Sequence, residues 1–350
     1  MSSAKGYDRV QERINSLPDH LRGQVTSPLP DLPEDLKEKG VLATGVGSSE
    51  ASARYLIFLL NRIGVPAEFA PLSSFYSKVK IPTGPPPYLA IFTQGLSPNS
   101  GIVFSQRHLF AGTLLFTSST VEGQEAAGKS DRAELLRKLE SEGVTLLIHP
   151  YQNEYEILPR FIGPLCSLFE VCRVIEHIAP GNLGGQKSLQ SIPAHLETFT
   201  LSQNVASGFL NDLSKTIRFV FTNSCSEYAQ NLPCKFLETL FIQPPHLLDA
   251  FTYSHGPFQL DIHKPSPNWV FTTDDKVEQT LFKKLKPLFE KAGPFREIQS
   301  PLPSPLAIFH YEAFLNQIVL HALKTSDIDL VNWPGKGQDD DGYRINSPGF

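Results

Sequence analysis

The sequence contains few cysteines and no long apolar run. Its 350 residues include four cysteines, none in a CxxC pair or at zinc-finger spacing from a histidine: Cys166, Cys172, Cys225 and Cys234. This pattern predicts reduced, buried thiols and no metal site. No apolar run approaches the length of a membrane span, and the N-terminal residues are too polar for a secretory signal. We therefore expect a cytoplasmic protein that does not bind membranes.

Positive charge is not concentrated anywhere in the chain. The 31 Lys and Arg residues are outnumbered by 36 Asp and Glu residues, for a net charge of −5. Without a basic stripe, nucleic acid is not expected as a partner. Apolar residues make up 41% and charged residues 19%, which is typical of a globular protein, and the length suits two domains.

Short apolar runs alternate with helical patterns along the chain. In the first half the runs cover residues 41–44, 67–70, 88–92, 113–116 and 145–148, with helices predicted over 53–63, 100–110, 132–142 and 158–178. In the second half, strands are predicted over 217–221, 269–271 and 295–298, with an extended segment over 246–250, and helices over 192–213, 227–241, 276–292 and 307–323. An earlier helix is predicted over 7–17.

Continuous apolar strands that alternate with helices are typical of a parallel sheet covered on both faces. The fold class is therefore α/β, with two doubly wound parallel-sheet domains in three α/β/α layers. We predict a helical extension over 1–38, a first domain over 39–180, a second over 186–330 and a tail over 331–350. Ligands of such folds bind beyond the carboxyl ends of the strands.

Polar clusters follow three of the predicted strands. After the first strand come Gly45-Val46-Gly47-Ser48-Ser49, which can cradle a phosphate or simply form a tight turn with a serine cap. Glu50 would oppose an anion there. Residues 93–100, TQGLSPNS, offer neutral hydrogen-bonding groups for a phosphate or polyol, or an ordinary capped turn. The TSST segment at 117–120 is expected to be a polar loop.

Two further patterns lie in the second half. Lys235 and Glu238 are three residues apart and share one helix face. Their spacing alone indicates an ordinary solvent-exposed ion pair. His255 precedes a Gly-Pro turn, where it can transfer protons or serve as a structural loop residue. His310 and His321 lie in an apolar helix and are expected to be hydrogen-bonded core or interface groups.

Taken in order, the segments GVGSS, TQGLSPNS, KFLE, SHGP and DIDLVNWPGK resemble the sugar-isomerase (SIS) family over residues 40–340. Within that family they resemble the isomerase portion of glutamine–fructose-6-phosphate aminotransferase and its stand-alone deglycase relatives. The resemblance implies a sugar-phosphate site formed by Gly47, Ser48, Ser49, Thr93 and Gln94. Gly95 and Pro98 depart from the family pattern, which has Ser and Thr there, and Ser97 or Ser100 would compensate.

The resemblance also implies a catalytic set. Glu238 would move the proton between C1 and C2, accompanied by Lys235, and Asn231 stands where the family has another Glu. His255 would assist ring opening in the neighbouring subunit of a homodimer, and Lys336 of the tail would reach the open sugar. No cofactor or metal is implied. Three functions remain open: a phosphosugar isomerase, a sugar-phosphate deglycase, and a non-catalytic protein that binds a sugar phosphate.

Overall fold

The computed structural model describes residues 4–77, 79–81, 84–149 and 154–345. The chain divides into two compact units, each built from separated segments. One unit contains Met1–Pro18, Glu156–Phe161 and Ser191–Val331, and the other contains Asp19–Tyr155, Ile162–Gln190 and Asn332–Phe350. We call the first the four-stranded unit and the second the five-stranded unit, after their sheets.

The sheet of the five-stranded unit is entirely parallel. Its strands are β1 (Val41–Thr44), β2 (Ala67–Phe69), β3 (Tyr88–Phe92), β4 (Thr113–Thr117) and β5 (Thr145–Ile148), in the order β2-β1-β3-β4-β5. Every residue of β1, β3 and β4 is buried, because helices cover both faces. The strand order reverses between β1 and β3, so their carboxyl ends form the switch point at which ligands bind in such sheets.

The helices of the five-stranded unit are α2 (Leu36–Lys39), α3 (Ser48–Arg62), α4 (Leu72–Tyr76), α5 (Gly101–Phe104), α6 (Val121–Ala126), α7 (Ser130–Ser141), α8 (Ile162–Ile178) and α16 (Asp340–Tyr343). Helices α1 (Tyr7–Thr26) and α9 (Gly185–Thr198) contribute residues to both units. The prediction of a single helix over 100–110 is wrong. Only α5 is α-helical there, between 3₁₀ turns at Pro98–Ser100 and Arg107–Leu109. The chain turns at Gln106, whose buried amide hydrogen-bonds the main chain of Phe75 and Val79.

The four-stranded unit repeats the same winding. Its parallel strands are β6 (Arg218–Phe221), β7 (His246–Asp249), β8 (Asn268–Thr273) and β9 (Phe295–Ser300), in the order β7-β6-β8-β9. Its helices are α10 (Gln203–Leu210), α11 (Asn231–Leu240), α12 (Ala250–Tyr253), α13 (Pro257–His263), α14 (Lys276–Ala292) and α15 (Ala307–Leu323). Two doubly wound parallel sheets confirm the predicted fold class.

Two predicted helices of the second half are interrupted. The segment 192–213 contains the end of α9 and a separate α10, because the Ser202 hydroxyl caps a new helix by accepting the Val205 N–H. The segment 227–241 contains α11 after a 3₁₀ turn at Ser224–Glu227. The Asn223 side chain caps that turn by accepting the N–H of Cys225. The predicted helix over 7–17 is in fact longer, since α1 continues through Pro18 to Thr26. In the described part of the chain, no helix is long and apolar enough to cross a membrane.

Candidate functional site

The turn after β1 depends on two glycines. A Cβ at Gly45 would lie 2.5 Å from the Ser49 carbonyl oxygen, and Gly47 has a positive φ of 62°. Together they let the chain turn sharply from β1 into α3. Ser48 and Ser49 therefore form the first residues of α3, next to its positive dipole end.

The loop after β3 is held by the hydroxyl groups that follow β4. The Gln94 carbonyl oxygen accepts hydrogen bonds from the hydroxyls of Thr117 (3.2 Å), Ser118 (2.8 Å) and Ser119 (3.2 Å). The Thr93 hydroxyl accepts the Ser97 N–H at 3.4 Å. The TSST segment is thus more than a polar loop, because three of its hydroxyls fix the backbone of the neighbouring loop.

A buried carboxylate fixes the Gln94 side chain. Glu154 is 0% exposed, and its two carboxylate oxygens accept the N–H groups of Ile162 (3.0 Å) and Gly163 (2.8 Å) at the start of α8. The Gln94 amide also donates to this carboxylate, at 3.0 Å. The amide packs flat on Gly163, where a Cβ would overlap it. Glu154 lies eight residues before α8 and matches no local capping pattern, so the sequence did not indicate it.

These loops enclose a small polar pocket within the five-stranded unit. Ser48, Ser49, Thr93 and Gln94 line it, and their role in binding a sugar phosphate stays a prediction. Sequence reasoning missed Ser52, His149 and Ser167, which also line the pocket. Ser52 lies one turn after Ser48 on α3, so helical periodicity was the signal that identifies it.

Two of the predicted binding residues use their hydroxyls locally. Ser97 donates to the Asn99 side chain at 2.7 Å, and Ser100 donates to the Ser97 carbonyl oxygen at 2.6 Å. Neither they nor Gly47 are among the pocket-lining residues. The pocket has hydroxyl, amide and imidazole groups and about 10 Å³ of free volume, close to the space for one water molecule. A larger ligand group would require its side chains to move.

In the four-stranded unit, α11 carries the predicted base. Glu238 is partly buried, and burial raises the pKa of its carboxyl above the usual range. The positive charges of Arg160 and Lys235 act in the opposite direction and lower that pKa. A carboxyl group whose pKa is moved towards neutrality is suited to accept and return a proton.

Lys235 forms a buried ion pair. Its Nζ lies 2.7 Å from Oε2 of Glu312 on α15 and 5.0 Å from the centre of the Phe161 ring. Asn231 donates to the other oxygen of Glu312 at 2.8 Å. Glu312 was not indicated by the sequence, since it is 74 residues beyond Glu238 and lies in an apolar helix.

The two remaining predicted catalytic residues are exposed. His255 lies between α12 and α13, just before Gly256, which has a φ of 99°. Lys336 belongs to the five-stranded unit, where its Nζ lies 4.5 Å from the centre of the Trp333 ring. Their roles stay predictions.

His310, His321 and three of the four cysteines match their structural interpretations, whereas Cys234 is only partly buried. His310 is buried and hydrogen-bonds His195 at 3.0 Å, and burial lowers the pKa of His310 to about 4. His321 lies 3.2 Å from the Leu201 carbonyl oxygen. All four cysteines are free, and three of them are buried. Within the described residues, no cluster of three or more His, Cys, Asp or Glu side chains could hold a metal ion.

Comparison with solved structures identifies the fold. The chain is similar to the C-terminal domain of glucosamine-fructose-6-phosphate aminotransferase from Francisella tularensis, with 12% identity, a TM-score of 0.68, and coverage of 91% of this chain and 97% of that one. It is also similar to glucosamine-6-phosphate deaminase from Thermotoga maritima, with 15% identity, a TM-score of 0.65 and coverage of 93% and 96%. The chain has the SIS fold. A third SIS structure, tagatose-6-phosphate ketose/aldose isomerase from Escherichia coli, matches at 15% identity, a TM-score of 0.62 and coverage of 93% and 95%.

The structural similarity to these solved structures extends over nearly the whole chain. No family model matches the sequence, and no curated protein matches it. At 12–15% identity, the match establishes the SIS fold and leaves the reaction to the chemistry of the residues.

Proposed function

We propose that this SIS protein is a phosphosugar isomerase or a closely related sugar-phosphate deglycase. The observation that carries the proposal is Glu238, a partly buried carboxyl group with a raised pKa, next to two positive charges. Aldose–ketose isomerisation needs such a group, because one carboxylate must take a proton from carbon and later return it. The names of the solved SIS structures support the substrate class, since each names a sugar phosphate or its amino derivative.

In the proposed reaction, Glu238 takes the proton from C2 of the open aldose. The C–H electron pair forms the C1–C2 double bond of an enediolate, and the carbonyl oxygen takes up the negative charge. The same carboxyl group then returns the proton to C1, the C2 hydroxyl passes its proton to the C1 oxygen, and the C2–O bond becomes the carbonyl of the ketose. His255 would assist ring opening, Lys336 would stabilise the developing oxyanion, and Ser48, Ser49, Thr93 and Gln94 would bind the far end of the sugar. This scheme uses no cofactor.

A non-catalytic sugar-phosphate-binding protein is the second candidate. One observation favours it: Lys235, a residue of the predicted catalytic set, is held in a buried ion pair with Glu312. Such a protein would bind the ligand and leave it unchanged.

The decisive test is Glu238→Gln, which keeps the shape of the side chain but cannot accept the proton. Wild-type protein and variant are compared for turnover by NMR, and for binding by thermal shift, against hexose phosphates, aminosugar phosphates and their unphosphorylated parents. We expect the variant to bind one phosphorylated sugar about as tightly as wild type and to lose at least ~100-fold in turnover. Binding without turnover by wild type would favour the second candidate, and full activity of the variant would exclude Glu238 as the base.

We also propose that the protein is a homodimer in which His255 serves the neighbouring subunit. The expected mass by light scattering is twice that of the 38.8 kDa chain. A mass of one chain at micromolar concentration would contradict the shared site.

A further inference from the structure

Glu312 connects α15 to the helix that carries the proposed base. Its side chain is 0% exposed. One oxygen lies 2.7 Å from Nζ of Lys235, and the other accepts the Asn231 amide at 2.8 Å. Asn231 and Lys235 are four residues apart on α11, so they lie on one face of the helix. A single carboxylate therefore holds two successive turns of α11.

The ammonium group of Lys235 depends on this carboxylate. Lys235 is 4% exposed, and its Nζ lies over the Phe161 ring at 5.0 Å. A buried ammonium is costly unless a negative charge compensates it, and otherwise it loses its proton. Glu312 supplies that negative charge at contact distance.

The charge of Lys235 acts on Glu238. The two residues are three positions apart on α11 and share a helix face. Arg160, the residue before Phe161, is the other positive group that acts on Glu238, and both charges lower the pKa of its carboxyl. Lys235 lies against Glu312, so we assign it an electrostatic role rather than direct contact with the substrate.

We propose that Glu312 is a positioning residue for proton transfer: its buried carboxylate holds the Lys235 ammonium in place on the α11 face that also carries Glu238. The inference rests on the proposed function only for the role of Glu238 as the base. It predicts that Lys235 needs a negative charge next to it, and that this charge has the same effect on Glu238 whether α15 or α11 carries it. Because Asn231 faces the same carboxylate, a glutamate at position 231 would bring a negative charge to Lys235 from α11 itself.

The test is a pH titration of the Glu238 carboxyl group by ¹³C NMR in protein without substrate, with its signal assigned by its loss in Glu238→Gln. In Glu312→Gln, we expect the Glu238 pKa to rise by about one unit, because a buried positive charge without its carboxylate partner is no longer maintained next to Glu238. The relocation variant Asn231→Glu/Glu312→Gln is expected to return the Glu238 pKa towards the wild-type value. A purely structural role for Glu312 would not produce this recovery.

Two controls keep the test decisive. Lys235→Met/Glu312→Gln removes both buried charges and retains an oxygen acceptor for Asn231, so it is expected to fold and to show the same raised pKa of Glu238. Glu278→Gln removes a different partly buried carboxylate of the same unit, one that hydrogen-bonds Asn223 and Thr273, and is expected to leave the Glu238 titration unchanged.

An unchanged Glu238 pKa in both Glu312→Gln and Lys235→Met/Glu312→Gln would overturn the inference. The titration needs no turnover, so it gives an answer even if no sugar phosphate is converted and the proposed function fails. If an isomerase activity is found, the acid limb of its pH–rate profile should move to higher pH by the same amount in Glu312→Gln and recover in the relocation variant.

Discussion

At the scale of single residues, the pocket depends on glycines that leave room for other side chains. The Gln94 amide packs against Gly163, and the Tyr155 hydroxyl packs against Gly95, in each case where a Cβ would lie. Gly95 departs from the pattern of the resembled family, and Tyr155 brings a hydroxyl to the same place. The sequence shows the missing hydroxyl, but it cannot show the tyrosine that folds against it.

Gly163→Ala should displace the Gln94 amide and break its hydrogen bond to Glu154, because the new methyl group takes the space of that amide. We expect a loss of about 1–3 kcal/mol in the free energy of unfolding, measured by denaturant titration. Gly101→Ala is the matched control, since nothing lies within 4 Å of a Cβ there and its φ is −56°. Equal stability of the two variants would show that Gln94 moves away without cost.

At the scale of elements, the local sequence predicts the positions of helices and strands more reliably than the side-chain hydrogen bonds that interrupt or stabilise them. Short apolar runs bounded by turns located most strands of the described residues, whereas β2, β7 and β9 also carry charged residues at partly exposed positions. The helices predicted over 100–110, 192–213 and 227–241 are interrupted, since side chains such as Gln106 and Ser202 bond the backbone there. Those bonds depend on partners that periodicity does not describe.

The start of α8 is the clearest case of an element stabilised from a distance. Glu154→Gln removes the negative charge that accepts the first two N–H groups of α8 and the Gln94 amide. We expect this substitution to lower the free energy of unfolding by about 1–2 kcal/mol.

Glu140→Gln, at an exposed position on α7, is the control and should be close to neutral. Hydrogen exchange of the Ile162 and Gly163 amides should increase only in Glu154→Gln. If these amides keep their protection, the carboxylate is not the cap.

At the scale of the whole molecule, a histidine pair should make stability depend on pH. Burial lowers the pKa of His310 to about 4, whereas the unfolded chain has a value near 6.5. The unfolded state therefore binds the proton first. The contribution of neutral His310 to the free energy of unfolding is fully present above pH 6.5. It is lost as the pH falls towards 4, by about 3 kcal/mol in total.

The measurement is the difference in unfolding free energy between wild type and His310→Asn at pH 7.5, 6 and 4.5. We expect the difference to shrink as the pH falls. His246→Asn, at an exposed position on β7, should show a constant difference. A pH-independent difference for His310→Asn would mean that its ring is easily protonated in the folded protein.

The sequence by itself determined the fold class, the two-sheet organisation and the loops that follow β1 and β3, because all three follow from local periodicity and short motifs. The resemblance of its motifs to the SIS family also pointed to Glu238, whose role as the base stays a prediction. Only the tertiary structure decided that Glu154 fixes Gln94, that Glu312 pairs with Lys235, and that Ser97 and Ser100 bond locally. A buried charge takes its partner from whichever element packs against it, and that choice is made by the fold rather than by neighbours in the chain.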